Sequence, residues 1–495
     1  MAKLKQQARI KRACTLGMAA LLLAACSKDK IITITDPDVI FPSDLGTPES
    51  AEALRVGALA RLSDITGGLQ GSGSLNEGIF FFSGVLADEW RSTDTFVQRD
   101  EVDSRAITLA NSAMTLEARG LHRTRVAALL AIPVLRQFKP LSVSDVGQMF
   151  WVRGWAEMTI AENFCNGMPI SFLDESNTIQ YGDPETNVQI YNRALKSFDS
   201  ASANTTAGVA RGDTVKWLAA IEKGRVLLDL GDYAQAGSVV TTANVPNNFK
   251  FTMSYSQTIL DNQIWALNNS AGRWMPANNE GPLGLNPATA NDPRVPICIG
   301  GTAACKNFDP NQTRANSFDQ NFGAGSFLVQ LVWPTRDADI SVAMGTEARL
   351  IEAEVALRSG DVATFLAKLN FLRANFNTFK QPSDPCSETL TIAGCPTITG
   401  GNLLLPLTDP GTQSANEDLL FRERAFWLWS TAHRLADLRR LVRPVSDGGF
   451  GRTENSVFPN GFYYKGGNYG DDKFLIIPIA EQNNPQYRGC LDRNP

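Results

Sequence analysis

Four tryptophans stand in segments without helical periodicity, and polar side chains flank them closely enough to form binding sites. They are Trp90, Trp265, Trp274 and Trp333, and their polar neighbours are Asp88, Arg91, Arg273 and Asn278. A flat exposed indole stacks on the apolar face of a sugar ring, while amide, carboxylate and guanidinium groups bond its hydroxyls. These eight residues are therefore the ligand-binding candidates. Packing inside a large loop-rich region is the alternative, and for each tryptophan taken separately it is the favoured interpretation.

Catalytic and metal-binding motifs have little support. The chain has no phosphate-cradling loop, no Gly-x-Ser-x-Gly elbow, no Cys-x-x-Cys, and only two histidines, His122 and His433. We therefore assign no catalytic residue, metal ligand or cofactor. Two acidic pairs, Asp88 with Glu89 and Asp337 with Asp339, keep glycoside hydrolysis open as an alternative, because that reaction needs two facing carboxylates.

The amino terminus combines a basic run with an apolar run and then a cysteine. Five basic residues precede an apolar stretch over residues 14–25, which is too short to span a bilayer. The following Leu23-Ala24-Ala25-Cys26 resembles a bacterial lipobox, which implies cleavage before Cys26 and acylation of that residue. Ser27 favours the outer membrane by the sorting rule for such signals. An ordinary cleaved signal with a chance cysteine is the alternative.

Charge and cysteine content agree with export. Without the five basic residues of the signal, 41 basic and 51 acidic residues remain, a net charge of −10, which argues against nucleic-acid binding. Six further cysteines suggest disulfides, although free thiols are the alternative and several pairings are open. Short loops favour Cys298 with Cys305 and Cys386 with Cys395, which leaves Cys165 for Cys490.

The elements that must position these residues are mainly helical. We divide the chain into a signal peptide (1–25), a flexible tether (26–46), an N-terminal helical part (47–242), an irregular ligand-side insertion (243–340) and a C-terminal helical part with loop insertions (341–495). Asp183-Pro184-Glu185 predicts a helix start, and residues 416–442 predict one last long helical region.

Two segments share a helix, a Gly-Asp turn and a second helix. They cover residues 219–236 and 348–365, and in each the Gly closes the first helix while the Asp caps the next. This pattern resembles tetratricopeptide-type hairpins, although the two copies are too far apart to be tandem repeats. The predicted fold class is therefore mainly α, with tetratricopeptide-like helical hairpins and a large irregular, loop-rich insertion.

The C-terminal part carries a more specific resemblance. Residues 419–427 read Leu-Leu-Phe-Arg-Glu-Arg-Ala-Phe-Trp, residues 433–440 read His-Arg-Leu-Ala-Asp-Leu-Arg-Arg, and residues 476–485 run from Ile-Ile-Pro-Ile-Ala-Glu to Asn-Pro. In this order, together with Asp-Pro-Arg at 292–294, they resemble the signature of the SusD/RagB family. Residues 430–433 depart from the usual Glu-Gly, and the tail lacks the second proline. We expect Arg422, Glu423, Arg434 and Asp437 to form buried or half-buried ion pairs between helices.

The resemblance implies a function. SusD/RagB proteins are outer-membrane lipoproteins that face the cell exterior, bind a nutrient oligomer and pass it to a SusC-like TonB-dependent transporter, without catalysis. The loop aromatics favour a glycan as the ligand, and a peptide is the alternative. A surface hydrolase using paired carboxylates and a structural surface protein without a small ligand are the competing hypotheses.

Overall fold

The computed structural model describes residues 46–68, 77–173, 178–258, 261–392, 394–396, 398–399 and 403–494. The predicted signal peptide, Cys26 and all but the last residue of the predicted tether lie outside these residues. Contacts divide the chain into Met1–Ser50 and a compact unit from Ala51 to Pro495. Within the described ranges, no helix has both the length and the hydropathy needed to cross a bilayer.

The described residues form sixteen α-helices and ten short strands, so the mainly helical fold class is confirmed. The helices are α1 (Pro48–Gly67), α2 (Ile79–Ala87), α3 (Val97–Asp103), α4 (Ser112–Phe138), α5 (Val143–Asn163), α6 (Asn187–Ala203), α7 (Ala210–Asp229), α8 (Tyr233–Val239), α9 (Gln263–Trp265), α10 (Pro287–Ala290), α11 (Ala303–Lys306), α12 (Gly345–Arg358), α13 (Val362–Ala374), α14 (Phe376–Phe379), α15 (Gln413–Trp427) and α16 (Arg434–Val442). The strands are β1 (Trp90–Ser92), β2 (Met168–Pro169), β3 (Phe172–Leu173), β4 (Ile179–Gln180), β5 (Pro184–Glu185), β6 (Lys250–Met253), β7 (Trp274–Pro276), β8 (Ile297–Ile299), β9 (Leu328–Gln330) and β10 (Ile340–Met344).

The strands of the described residues pair only as two-stranded antiparallel ribbons. The pairs are β1 with β7, β2 with β5, β3 with β4, β6 with β10, and β8 with β9. Three of these five ribbons, β1 with β7, β6 with β10, and β8 with β9, contain strands from residues 250–344. Separate ribbons, and not a continuous sheet, therefore stabilise the irregular insertion.

The two predicted helical hairpins form where the Gly-Asp turns stand. Gly231 and Gly360 adopt left-handed backbone conformations, with φ of 78° and 81°. The side chain of Asp232 accepts from the amide of Gln235, and that of Asp361 accepts from the amide of Thr364. Helix α12 packs against α7 and α8, so the two hairpins share one core.

Two helix boundaries differ from the sequence prediction. Helix α6 begins at Asn187, because Thr186 and Gln189 form a capping box, while Pro184–Glu185 pairs with β2 instead. The predicted region 416–442 breaks between α15 and α16, where Ser430 and Ala432 have φ of 56° and 61°.

Buried ion pairs hold the C-terminal helices. Arg434 binds Asp88 through two hydrogen bonds of 2.7 and 2.6 Å, and both side chains are fully buried. Arg424 binds Asp437 in the same way, at 2.8 and 2.9 Å, and Glu423 pairs with a buried arginine of the insertion. The predicted buried role of Arg422 is wrong: its side chain is exposed, stacks on Phe426 and donates to an asparagine.

Three disulfides cross-link the unit. The structure joins Cys165 to Cys490, Cys298 to Cys305 and Cys386 to Cys395, which are the predicted pairs. The first closes a loop of 325 residues, and the other two close loops of 7 and 9 residues. The long bridge therefore fixes the C-terminal tail against the turn that follows α5.

Candidate functional site

The ribbon of β1 and β7 joins the two segments that the sequence nominated for ligand binding. Trp90 lies opposite Pro276, Arg91 opposite Met275, and Ser92 opposite Trp274. Because successive side chains of a strand point to opposite faces, Trp90 and Ser92 face the core while Arg91 faces outwards. Two chain segments distant in sequence therefore form one surface element.

The tryptophans themselves lie in the core. Trp90, Trp274 and Trp333 have no exposed surface, and Trp265 is only 6% exposed. The indole rings pack on other aromatic rings, with Trp90 4.7 Å from Trp429 and Trp274 stacked on Phe81 at 5.3 Å between ring centroids. An indole in this arrangement presents no face to a ligand, so packing, the favoured interpretation for each residue, is what the structure contains.

Hydrogen bonds fix three of these four rings in place, since the buried indole nitrogen of Trp333 has no partner among the described residues. The indole nitrogen of Trp90 donates to the Ser430 hydroxyl at 2.7 Å, and that of Trp265 donates to Asp309 at 2.7 Å. The indole nitrogen of Trp274 donates to the Glu77 carboxylate. These bonds satisfy the indole nitrogens of the three buried rings, which lowers the cost of burying them.

The polar candidates occupy different depths. Asp88 is fully buried in its pair with Arg434, whereas Arg91, Arg273 and Asn278 are half-buried. Arg91 pairs with Glu280 at 3.1 Å, and the side-chain amide oxygen of Asn278 accepts from the backbone amide of residue 288. Arg273 is the candidate whose guanidinium also contacts exposed aromatic rings.

Two exposed phenylalanines flank that guanidinium. It lies 3.9 Å from the ring centroid of Phe318 and 5.2 Å from that of Phe96. Phe318 is 36% exposed and Phe96 is 39% exposed, and the guanidinium of Arg314 lies 5.7 Å from the Phe318 ring. We call Phe96, Arg273, Arg314 and Phe318 the aromatic–arginine patch.

The patch rests on a buried acid and on backbone pairing. One nitrogen of Arg273 donates to both carboxylate oxygens of Asp94, at 2.9 and 2.8 Å, and Asp94 has no exposed side-chain surface. The amide of Phe318 donates to the carbonyl of Gly272 at 2.8 Å, so the loop that carries Phe318 is bonded to the residue before Arg273. Orientation by a buried carboxylate makes the guanidinium a fixed donor.

A tyrosine-rich edge continues the surface. The guanidinium of Arg91 lies 4.5 Å from the ring centroid of Tyr464, and Tyr469 donates to Glu280 at 2.6 Å. Burial is the main cause that raises the pKa of Glu280. Arg91 and Tyr469 lower it, Asp88 raises it, and the net shift is upward. Burial also raises the pKa values of Tyr464 and Tyr469. Both hydroxyls therefore stay protonated and can donate hydrogen bonds.

The two acidic pairs differ in their access to solvent. Asp88 and Glu89 are each 1% exposed, so substrate and water have no access to them. Asp337 is exposed, and a hydrogen bond from Thr335 is the main cause that lowers its pKa, so Asp337 lacks the raised pKa of a general acid. Among the described residues, no cluster of three or more His, Cys, Asp or Glu side chains could hold a metal ion.

Sequence reasoning missed Phe96, Phe318 and the tyrosines. The one available signal was composition, since residues 447–472 form a Gly-rich, aromatic tail and residues 314–322 are polar around two phenylalanines. The position of these phenylalanines and tyrosines beside β1 and β7 depends on contacts between segments that are far apart in the chain.

The sequence matches no protein-family model and no curated protein. The structure is similar to that of a SusD-like carbohydrate binding protein from Bacteroides fragilis NCTC 9343, with a TM-score of 0.61, 13% identity, and coverage of 90% of this chain and 99% of the other. A SusD homologue from Bacteroides thetaiotaomicron VPI-5482 aligns with a TM-score of 0.58, 12% identity, and coverage of 91% and 99%. A SusD/RagB family protein from the same bacterium gives a TM-score of 0.54, 13% identity, and coverage of 82% and 90%. The chain therefore has the SusD/RagB fold over about 90% of its length.

Proposed function

We propose that this chain is a surface-exposed outer-membrane lipoprotein that binds a nutrient oligomer and delivers it to a SusC-like TonB-dependent transporter. The observation that supports this proposal is the fold. Over 90% of its length, this chain shares the SusD/RagB fold with a protein described as a SusD-like carbohydrate binding protein. The predicted lipidation at Cys26 supplies the membrane anchor. The protein acts by binding and transfer, without covalent chemistry.

The chemistry of the aromatic–arginine patch supports a glycan as the ligand. The exposed rings of Phe96 and Phe318 offer apolar faces to the C–H face of a sugar ring. Arg273 lies between them with its guanidinium held by Asp94, so its remaining N–H groups can donate to hydroxyls. A peptide is the alternative ligand, since the same groups would take aromatic side chains and carboxylates.

Affinity electrophoresis against a panel of soluble polysaccharides tests the ligand and its site together. The double variant F96A/F318A should bind a retarding polysaccharide about 10-fold more weakly, since each stacked ring contributes roughly 0.5–1.5 kcal/mol. Phe172→Ala is the matched control, because Phe172 is 50% exposed and stands in β3 rather than in the patch. Equal binding by all three proteins would remove the patch from the proposal, and binding of peptides alone would favour the peptide alternative.

A pull-down tests the partner. The protein carries a C-terminal tag, the outer membranes are solubilised in detergent, and mass spectrometry identifies what is recovered with it. A stoichiometric TonB-dependent barrel is the expected result. Recovery of the lipidated protein alone would refute the transporter partnership and move the hydrolase and structural hypotheses forward.

A further inference from the structure

A second concave surface lies between α4 and the C-terminal tail. It is a groove of about 740 Å³ whose walls are the outer stripe of α4 and the segment around residues 478–483. It shares no residue with the aromatic–arginine patch. We call it the basic groove; its charged and imidazole-bearing lining residues are Arg61, Arg119, His122, Arg123, Arg125 and Glu481.

The charge of the groove is opposite to that of the chain. Four arginines line it, although the mature sequence carries a net charge of −10. Asp64 is 3.8 Å from the exposed Arg61, and Glu157 and Glu185 interact with Arg125 but pair with Arg153 and Arg193. Among the residues that line the groove, four arginines stand against one carboxyl group, Glu481, so positive charge dominates the potential there.

Two buried nitrogen atoms of the residues that line the groove lack a hydrogen-bond partner among the described residues. Arg125 is 3% exposed and donates through one terminal nitrogen to the carbonyl of Ser171, but its Nε has no hydrogen-bond partner among the described residues. Nε2 of His122 is also buried without a partner in the same part of the chain. Burial and the neighbouring Arg125 lower the pKa of His122 to about 3, so its imidazole is neutral. An unpaired buried guanidinium nitrogen is costly, and the Arg125 side chain lines the groove, where its positive charge attracts an anionic oxygen.

The exposed and buried arginines come from different sides of α4. Arg119 and Arg123 are four residues apart and exposed, so they project from one helical face, whereas Arg125 lies on another side; all three line the groove. Several guanidinium groups converging on one site favour an oxyanion that accepts several hydrogen bonds. A neutral sugar would leave the four positive charges uncompensated.

We propose that the basic groove binds a phosphate or sulfate group carried by a sugar or by a lipid headgroup. This inference is independent of the proposed function, because the groove and the patch have no residue in common. Arg119 and Arg123 receive the anion at the mouth of the groove, and Arg125 binds it at the base.

Calorimetric titration with glucose 6-phosphate, inorganic phosphate and glucose tests this inference. Flotation with phosphatidylcholine vesicles, prepared with or without phosphatidylglycerol, shows whether the anion belongs to a lipid headgroup or to a soluble molecule. The full-length protein should bind a phosphorylated probe and not glucose. In R119Q/R123Q, affinity for that probe should fall at least about 10-fold, which corresponds to roughly 1.4 kcal/mol. Because both arginines are exposed, this variant should fold normally, and circular dichroism checks that.

Arg136→Gln is the matched control, since Arg136 is another exposed arginine of α4 and does not line the groove. Binding of the soluble phosphates identifies a small-molecule site, and binding restricted to anionic vesicles identifies a headgroup site; both support the inference. Failure of every phosphorylated probe to bind, or an equal loss in R136Q and R119Q/R123Q, overturns it. Polysaccharide binding at the patch is measured separately, so the two proposals can fail independently.

Discussion

Glu89 gives the sharpest prediction, because its carboxyl group is buried beside an ion pair without being part of it. One oxygen accepts from the Ser430 amide at 2.9 Å, and the other has no hydrogen-bond partner among the described residues. Burial raises the pKa of Glu89 from 4.5 to about 8, the neighbouring Asp88 and Asp437 add to that, and Ser430 and Arg434 oppose it. The native protein therefore holds Glu89 protonated at neutral pH.

The linkage follows from that protonation. Between pH 4.5 and about 8 the folded chain keeps a proton that the unfolded chain has lost, so this group's contribution to stability falls as pH rises. The loss is about 1.4 kcal/mol per pH unit and reaches about 5 kcal/mol near pH 8. Glu89→Gln preserves the shape and cannot ionise. Relative to the native protein, E89Q should gain about 1.4 kcal/mol in unfolding free energy per pH unit across this window, and the gain should level off above it.

Urea unfolding at pH 5, 6, 7 and 8, followed by tryptophan fluorescence and circular dichroism, measures this difference. Fluorescence is a suitable signal, because Trp90 and Trp429 pack together beside Glu89. Glu49→Gln, at an exposed position of α1, controls for the removal of a carboxylate and should show no such slope. A difference between E89Q and the native protein that stays constant from pH 5 to 8 would refute the buried, protonated state.

Two further predictions use the same unfolding assay. Asp88→Asn leaves Arg434 buried without its carboxylate partner and should lower the unfolding free energy by about 3–5 kcal/mol. The control Asp471→Asn, at an exposed pair, should change it by about 0.5 kcal/mol or less. Similar effects of the two variants would contradict the burial of the first pair. Gly360→Ala should cost about 1–2 kcal/mol from its left-handed backbone alone, because nothing stands within 4 Å of the added methyl group. Gly231→Ala should cost about 1–3 kcal/mol more, because its methyl group would lie 2.8 Å from the facing backbone; equal losses would mean that this contact yields easily.

The parts of the fold that could be predicted from the sequence depend on local rules. The Gly-Asp turns formed as expected because a left-handed glycine and a capping aspartate act within a few residues. The break between α15 and α16 could not be predicted, since Ser430 is held by the Glu89 carboxylate and the Trp90 indole, more than 300 residues earlier. The ion pairs were expected on the right helices, but Arg424, and not Arg422, faces the core.

The candidate site shows the same limit. The sequence could nominate the segments that meet in the β1–β7 ribbon, and Arg273 within them, but not which aromatic side chains stay exposed. Tryptophan suggests a binding site in a sequence, but it is also the largest apolar side chain that the core can bury. All four loop tryptophans are buried in the tertiary structure. Phe96 and Phe318 stay exposed because they lie beyond that packed layer, which depends on the tertiary arrangement.

The long disulfide also determines how the protein would respond to mechanical load. A pulling force applied between residues 46 and 494 passes across the bridge from Cys165 to Cys490, so the chain between those cysteines carries no tension while the bridge is intact. Only residues 46–165 and 490–494 can then be drawn out, a contour length of about 440 Å at roughly 3.5 Å per residue, instead of about 1,570 Å for the reduced chain. Both helical hairpins and the whole irregular insertion are thereby shielded from extension. A reducing agent would open the bridge and make the full length between residues 46 and 494 extensible.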